Sequence, residues 1–433
     1  MKHLLQQPRP DVIITNRRQR DGGAFSGTAK QQLDILADAI RNGAEYVDIE
    51  MSWGPALVNK VLSLRRKTDI IVSYHNFKET PKTLHTIYQQ LKACNCQIIK
   101  IATMATTITD CKRMFHLIDN ARADRRQIIG LCMGEQGEIS RILGGRHGNF
   151  LTFAPLNSGQ QTAPGQRTID ELINIFHVPV LRKQTKIFGL IGNPVTHSKG
   201  IYFHNLAFKR KKVDAVYVNF LTIDLKKFIK LFSQDITGAS VTMPFKEDIV
   251  PMLDILHGNA ADLRVVNTII RHRDTLHGYN TDLPAITGLI QRHRLKNKNV
   301  VILGTGGTSK TMAFASLQLR ANTTIIGRSP ENAQSLAREL NCKWGTFDEL
   351  SDIPCDVLMN GTSVGMREHD SRTMLVPKKY LRENMVVVDA VSSNDLTPLL
   401  QTAKSRGCHL ITGNELFQRQ AELQSRLFLK NIP

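Results

Sequence analysis

An α/β protein with two kinds of parallel sheet is predicted by two observations. From the start to about residue 170, short apolar runs alternate with helix-like segments. The runs are Val12-Ile13-Ile14-Thr15, Tyr46-Val47-Asp48-Ile49-Glu50, Ile70-Ile71-Val72-Ser73-Tyr74, Ile98-Ile99-Lys100-Ile101, Ile128-Ile129-Gly130-Leu131 and Phe150-Leu151-Thr152-Phe153. Continuous runs of this kind are strands buried on both faces of a parallel sheet. Arg17, Glu50, His75, Lys100, Arg141 and Thr162 follow or close them, and polar residues at strand C-termini are what a (β/α) barrel requires, because its active site lies there. The second observation is a glycine turn, Gly304-Thr305-Gly306-Gly307-Thr308-Ser309-Lys310, directly after the run Val300-Val301-Ile302-Leu303.

The elements follow in order. Six apolar runs make the front region. A linker with one proline and several basic residues spans 177–186, and a new apolar run begins at Ile187. A second α/β region extends to about Lys298. The glycine turn then leads into a helix-prone stretch, Thr311 to Leu319, and a β-rich run, Thr323-Thr324-Ile325-Ile326. This strand, turn, helix, strand sequence is a Rossmann-like unit, in which a pyrophosphate sits on the amides of the helix N-terminus. An NAD enzyme places an acid at the end of the second strand. Gly327-Arg328-Ser329 stands there instead, and a cation with a hydroxyl suits a 2′-phosphate, so the cofactor is expected to be NADP(H). A structural glycine turn in another kind of α/β protein is the alternative. The chain ends in a helix, about Gly413 to Leu429, that can pack back on the second region.

Bulk properties narrow the function classes. At 433 residues the chain has length for about two to four domains. No apolar stretch is long enough to span a bilayer, and no secretory signal core is present. The seven cysteines are scattered, and Cys94-Asn95-Cys96 is too tight for a zinc pair, so free thiols in a reducing cytoplasm and no metal are expected. The net charge of +19 raises the question of nucleic acid. The basic residues are spread, however, with short clusters only at Arg17-Arg18-Gln19-Arg20 and Lys209-Arg210-Lys211-Lys212. A field that attracts small anionic substrates is the simpler reading, with no nucleic-acid or membrane partner.

Two ordered sets of motifs carry a family resemblance over nearly the whole chain. Thr15-Asn16-Arg17…Asp21-Gly22-Gly23, Ser73-Tyr74-His75-Asn76-Phe77, Lys100-Ile101-Ala102-Thr103, Met133-Gly134…Ser140-Arg141 and Ala163-Pro164-Gly165-Gln166 resemble type I 3-dehydroquinate dehydratase. Ile191-Gly192-Asn193-Pro194…His197-Ser198-Lys199, Val241-Thr242-Met243-Pro244-Phe245-Lys246, Val266-Asn267-Thr268, Asn280-Thr281-Asp282 and Asn360-Gly361-Thr362-Ser363-Val364-Gly365-Met366 resemble shikimate dehydrogenase. The resemblance implies a dehydratase-like barrel over 1–178. It also implies a substrate-binding domain over 187–290 plus 405–433 and an NADP-binding domain over 291–404.

For the first half the resemblance implies a Schiff-base lysine at Lys100 and a general acid–base at His75. Arg17, Asp21, Arg141, Thr162 and Gln166 would contact substrate, and Asp21 would fill the place of a glutamate that orients the histidine. For the second half it implies Lys246 and Asp282 at the reacting oxygen, with Ser198, Ser240, Thr242, Asn267 and Gln420 on the substrate. Gly304, Thr305, Gly306, Gly307, Thr308, Arg328, Ser329 and Gly413 would hold the cofactor. Together these imply a bifunctional enzyme taking 3-dehydroquinate through 3-dehydroshikimate to shikimate.

The sequence departs from the pattern in places. The family barrel has eight strands against six runs here, a Glu-x-Arg segment is not found, and Gly200, Ile201 and Ser392 replace a serine, a proline and a tyrosine. A reductase with a degraded or truncated dehydratase half is therefore the second reading. A non-catalytic metabolite-binding regulator is the third.

Overall fold

The computed structural model describes Leu5 and residues 9–196, 198–366 and 373–432; His197 of the serine motif lies outside them. The chain divides into two compact units, 1–189 with 195–233, and 190–194 with 234–433.

In the first unit, strands β1 (Ile13–Thr15), β2 (Tyr46–Glu50), β3 (Asp69–Asn76), β4 (Ile98–Met104) and β5 (Gln127–Met133) form one parallel sheet in the order β1-β2-β3-β4-β5. Helices α1 (Ala29–Arg41), α2 (Pro55–Leu64), α3 (Leu84–Ala93) and α4 (Thr109–Ala123) connect them. Sequential order with a helix in each crossover is the winding of a (β/α) barrel. α1 starts on a capping box between Thr28 and Gln31 and buries Leu36 and Ile40. The register sets Lys100 of β4 beside Ser73 of β3, and Ser73 beside Glu50 of β2. Charged side chains are thereby collected at one end of otherwise apolar strands.

The sixth expected strand does not form. Phe150–Phe153 makes one backbone bond to β5, Phe150 N to Ile128 O at 2.8 Å. The amide of Gly130, which a neighbouring strand would engage, donates instead to the Asn149 side chain at 2.7 Å. A side chain thus takes over part of the edge's hydrogen bonding, and Phe150, Leu151 and Phe153 pack against the core of Ile71, Ile98, Ile129 and Leu131 without strand pairing. Helix α5 (Glu138–His147) precedes this segment. The unit also holds the start of β6 (Lys186–Gly192), helix α6 (Gly200–Arg210), β7 (Ala215–Leu221) and helix α7 (Leu225–Phe232).

The second unit contains two sheets. In one, the end of β6, β8 (Ile236–Val241), β10 (Thr268–His272), β11 (Thr275–Tyr279) and β9 (Ile255–Leu256) lie in that order. β10 is antiparallel to both of its neighbours. Helices α8 (Asn259–Leu263) and α9 (Asp282–Ile290) follow β9 and β11 respectively. The other sheet is all parallel and contains β12 (Asn299–Leu303), β13 (Asn322–Ile326), β14 (Lys343–Gly345), β15 (Val357–Asn360), β16 (Val386–Asp389) and β17 (His409–Ile411). Its order is β14-β13-β12-β15-β16-β17, the doubly wound 3-2-1-4-5-6 arrangement, which opens a ligand crevice at the carboxyl ends of β12 and β15. Helices α10 (Gly307–Gln318) and α11 (Pro330–Leu340) flank β13, and α12 (Pro398–Ser405) precedes β17. The sheet runs to Ile411, past residue 404. α10 begins at Gly307, earlier than the sequence suggests, because the glycine turn itself feeds the first helical turn.

Helix α13 (Gly413–Lys430) ends the fold. It packs back on the first of these sheets through Gln424, which donates to Asn267 O and Thr268 Oγ1, both at 2.9 Å, and accepts from Ser240 at 2.9 Å. No helix among the described residues is long and apolar enough to cross a membrane.

Candidate active sites

Two polar centres stand out, one in each unit. In the first, the Lys100 ammonium position is buried and donates to Asp48 at 2.8 Å. Arg17 donates to the same oxygen at 2.9 Å and lies 3.6 Å from Glu50. Burial works against the Asp48 charge, but Lys100 and Arg17 together hold this carboxyl well below its ordinary range. Burial lowers the pKa of Lys100, with Asp48 opposing. The ring of Phe153 covers the amine at 4.4 Å. A lysine in this setting has a raised share of neutral, nucleophilic amine.

His75 follows on β3. Its backbone N–H donates to Glu50 Oε1 at 2.9 Å, and its Nδ1 lies 2.7 Å from Glu50 Oε2. An ionised Glu50 makes Nδ1 the donor and leaves Nε2 with its lone pair, the form a general base needs. Burial lowers the His75 pKa, against the pull of Glu50. Here the structure corrects an expectation: Glu50 orients His75. Asp21 accepts instead from Arg18 at 2.8 Å and from Ser52 at 2.8 Å. Its shorter arm in a glycine-rich turn serves a local ion pair, while Glu50 shares a sheet with His75.

Arg141, on α5, is only 3% exposed, and burial pulls its pKa down to about 10. It has no carboxylate or hydrogen-bond partner among the described residues, and its Nε is buried and unsatisfied. Leaving such a group unmatched is costly, so an anion is the natural complement. Thr162 and Gln166 are brought together: Gln166 Oε1 accepts from Thr162 N at 2.8 Å and Ala163 N at 3.2 Å, closing the turn on itself. Pro164 O in that turn accepts from Gly134 N at 3.1 Å, just before α5.

The second centre is built on Lys246, in the turn after β8. Its Nζ donates to Asp282 Oδ2 at 2.7 Å and to Thr308 Oγ1 at 3.2 Å. Asp282 opens α9, where the helix dipole favours a carboxylate. Asn267 orders this corner, accepting from Thr281 N at 2.8 Å and donating to Thr281 Oγ1 at 3.0 Å. Gln420 meets Thr281 at 3.5 Å, and Thr242 is half-buried at the end of β8. Ser240 is committed to Gln424. Ser198, counted with the first unit, accepts from Gly200 N at 3.1 Å. A Cβ at position 200 would stand 3.2 Å from its hydroxyl.

The glycine turn faces the switch point of the parallel sheet. Gly304 has φ +104°, open to glycine at little cost, and Gly306 has empty space where a side chain would be. Thr305 lies between them in the turn. Gly306 caps α10 without any side-chain bond, so the first amides of a twelve-residue helix lack a side-chain cap. Lys310 is taken by Glu339 at 2.6 Å. Arg328 is exposed after β13 without an ion pair among the described residues, and Ser329 caps α11 and bonds Glu331. Gly413 lies against the backbone of Val391 and Ser392, too close for any side chain. No group of metal-ligating side chains occurs among the described residues.

Residues 1–180 match the family model for type I 3-dehydroquinase, and residues 190–269 match that for the shikimate dehydrogenase substrate binding domain. The bifunctional 3-dehydroquinate dehydratase/shikimate dehydrogenase of Arabidopsis thaliana chloroplasts is 33% identical over 99% of this chain and 74% of its own length. The chain belongs to this bifunctional family. The NADP(+) shikimate dehydrogenase of Pyrococcus abyssi is 40% identical over 53% of this chain and 86% of its own. Among solved structures, a shikimate dehydrogenase in complex with NADP+ is 32% identical, with a TM-score of 0.54 over 58% of this chain and 92% of that one.

Within this dehydratase–dehydrogenase frame, Asp48 and Gln424 carry no motif signal, and Glu50 is marked only by its place at the end of β2. Asp48 and Glu50 alternate on β2 and so face the same side, a visible sign of paired carboxylates. Gln424 lies one turn beyond Gln420 on the same helical face.

Proposed function

We propose that this chain dehydrates 3-dehydroquinate to 3-dehydroshikimate at the Lys100 centre and reduces that product to shikimate with NADPH at the Lys246 centre. The observation that carries the reading is Lys246, bonded at once to Asp282 and to Thr308 in the first turn of the helix after the glycine turn. The Lys246 amine bridges the Asp282 carboxylate and the helix after the glycine turn, which supports a position between substrate and nucleotide.

At the first centre, neutral Lys100 attacks the ketone of the substrate, and loss of water gives an imine that acidifies the adjacent carbon. His75 Nε2 takes the proton from that carbon and returns one to the departing hydroxyl. Hydrolysis of the imine frees the lysine. Arg141 receives the substrate carboxylate in a forked pair. Arg17, Thr162 and Gln166 border the remaining oxygens, and Glu50 takes the orienting role first assigned to Asp21.

At the second centre, NADPH supplies hydride when bound. Lys246 stabilises and protonates the oxygen that gains charge, while Asp282 orients lysine and substrate hydroxyl. Thr242, Asn267 and Gln420 border the hydroxyls, and Ser240 sets Gln424 behind them; a grip on the carboxylate by Ser198 is what the family motif implies. The uncapped amides of α10, with Gly304, Thr305, Gly306, Gly307 and Thr308, suit a pyrophosphate. Arg328 and Ser329 suit a 2′-phosphate, and Gly413 permits the close backbone approach beside it. Three domains divide this work: 1–178, 187–290 with the final helix, and a cofactor domain from 291 whose sheet runs on past residue 404 to Ile411. Small anionic substrates are the partners.

The test is NADPH consumption by the purified chain. Oxidation with either dehydroquinate or dehydroshikimate is expected; oxidation with neither would refute the reading. The five-stranded sheet supports a second reading, in which dehydroshikimate is consumed faster than dehydroquinate because β1 and β5 remain edges among the described residues. Equal rates would remove it.

A further inference from the structure

Arg167, next to Gln166, has no part in the chemistry above, yet it holds a network. Its guanidinium forks onto Glu138, Nε to Oε2 at 2.9 Å and Nη2 to Oε1 at 3.2 Å. Its Nη1 donates to Glu171 at 3.1 Å. Glu171 also accepts from Thr168 N at 3.0 Å and from the Tyr202 hydroxyl of α6 at 3.2 Å. The Arg167 and Glu138 side chains are 15% and 16% exposed, so the fork is shielded from competing water.

Glu138 is the first residue of α5, and Arg141 lies three positions further on. Acid and arginine at that spacing are neighbours on a helix face and can pair. Here they do not: Arg141 is buried without a carboxylate, and the acid one turn away is fully taken up by Arg167. We propose that Arg167 is a positioning residue, which keeps Arg141 open for the substrate carboxylate by sequestering Glu138 and ties the Gln166 turn to α5. This rests on the reading of the Lys100 centre as a dehydratase.

If Arg167 loses its charge, Glu138 becomes a shielded carboxylate without a partner, and Arg141 is the nearest unmatched cation on its helix. An internal acid then competes with substrate, while the chemistry at Lys100 and His75 is untouched. Removing the competitor as well should restore binding. A network that merely holds the fold together would instead be damaged further by the second change.

Borohydride trapping of dehydroquinate on the full chain separates these outcomes, read as labelling of the Lys100 peptide against substrate concentration. Arg167→Met is expected to raise the half-saturating concentration by about tenfold or more, the scale of a lost bond to a charged group, with the same maximal labelling. Arg167→Met with Glu138→Gln should return it to within about threefold of the unmodified chain. Arg167→Lys, which keeps charge but cannot fork, should fall between, and serves if Arg167→Met does not fold. An unchanged half-saturation in Arg167→Met, or in Arg167→Lys should that variant alone fold, overturns the proposal, as does a double variant no better than the single one. No labelling of Lys100 in the unmodified chain overturns the dehydratase reading and this inference with it.

Discussion

Lys100 and Lys246 each donate to an aspartate, at 2.8 and 2.7 Å, but their surroundings differ. The Lys100 pair is sealed among apolar strands, with side-chain exposures of 7% and 0%, and Arg17 shares its aspartate. The Lys246 pair keeps 16% and 14% exposure, in a turn and at a helix N-terminus. Burial with a competing cation lowers the lysine pKa at the first centre, against the pull of Asp48. The Lys246 pair instead lies partly open to solvent, with its carboxylate at a helix N-terminus. The same two residue types thus stand in different electrostatic settings at nearly equal bond lengths.

The sharpest way to break this contrast is Lys100→Ala. Without the amine no imine can form, so dehydratase turnover and borohydride trapping should fall to background while dehydroshikimate reduction continues. A dehydratase rate unchanged by the substitution would refute the nucleophilic role. Lys246→Ala should be the next largest effect, lowering reductase kcat by roughly 10²–10³-fold, the loss expected for one oxyanion-stabilising donor. NADPH affinity should change little, and steady-state kinetics in the shikimate-oxidising direction would show it; near-normal kcat would make this lysine a binding residue only.

Arg328→Asp sharpens the cofactor side. The unmodified chain should prefer NADPH, and the variant should lose about 10–100-fold of that preference in kcat/KM, the value of a bond to a charged group. Equal use of NADH by the unmodified chain would count against the 2′-phosphate site. The smallest effect expected is on pH dependence. His75 titrates below its ordinary value of 6.5 because it is buried, and Glu50 pulls it back up. The acidic limb of dehydratase kcat/KM should therefore lie below pH 6.5, since His75 must be neutral to act as base. Glu50→Gln should move that limb further down while lowering the rate. Asp21→Ala should leave it in place, and a shift with Asp21→Ala would return the orienting role to that residue.

What the sequence determined by itself was local and repetitive. The strand, glycine turn, helix and strand around Gly304 are encoded within a few residues of one another, as are β2 to β5 in their apolar runs and the long final helix. Motif order alone singled out Lys100, His75, Lys246 and Asp282 as candidates. Tertiary structure decided the partners. Glu50 and His75 are 25 residues apart, Lys100 and Asp48 are 52, and Arg167 and Glu138 are 29; strand register and loop packing bring them together. The sixth run shows the limit from the other side. Phe150–Phe153 has the composition of a strand, yet Asn149 takes the amide of Gly130 with its side chain. Propensity describes what a segment can do alone, whereas hydrogen bonding to a neighbour depends on which groups that neighbour has left to offer.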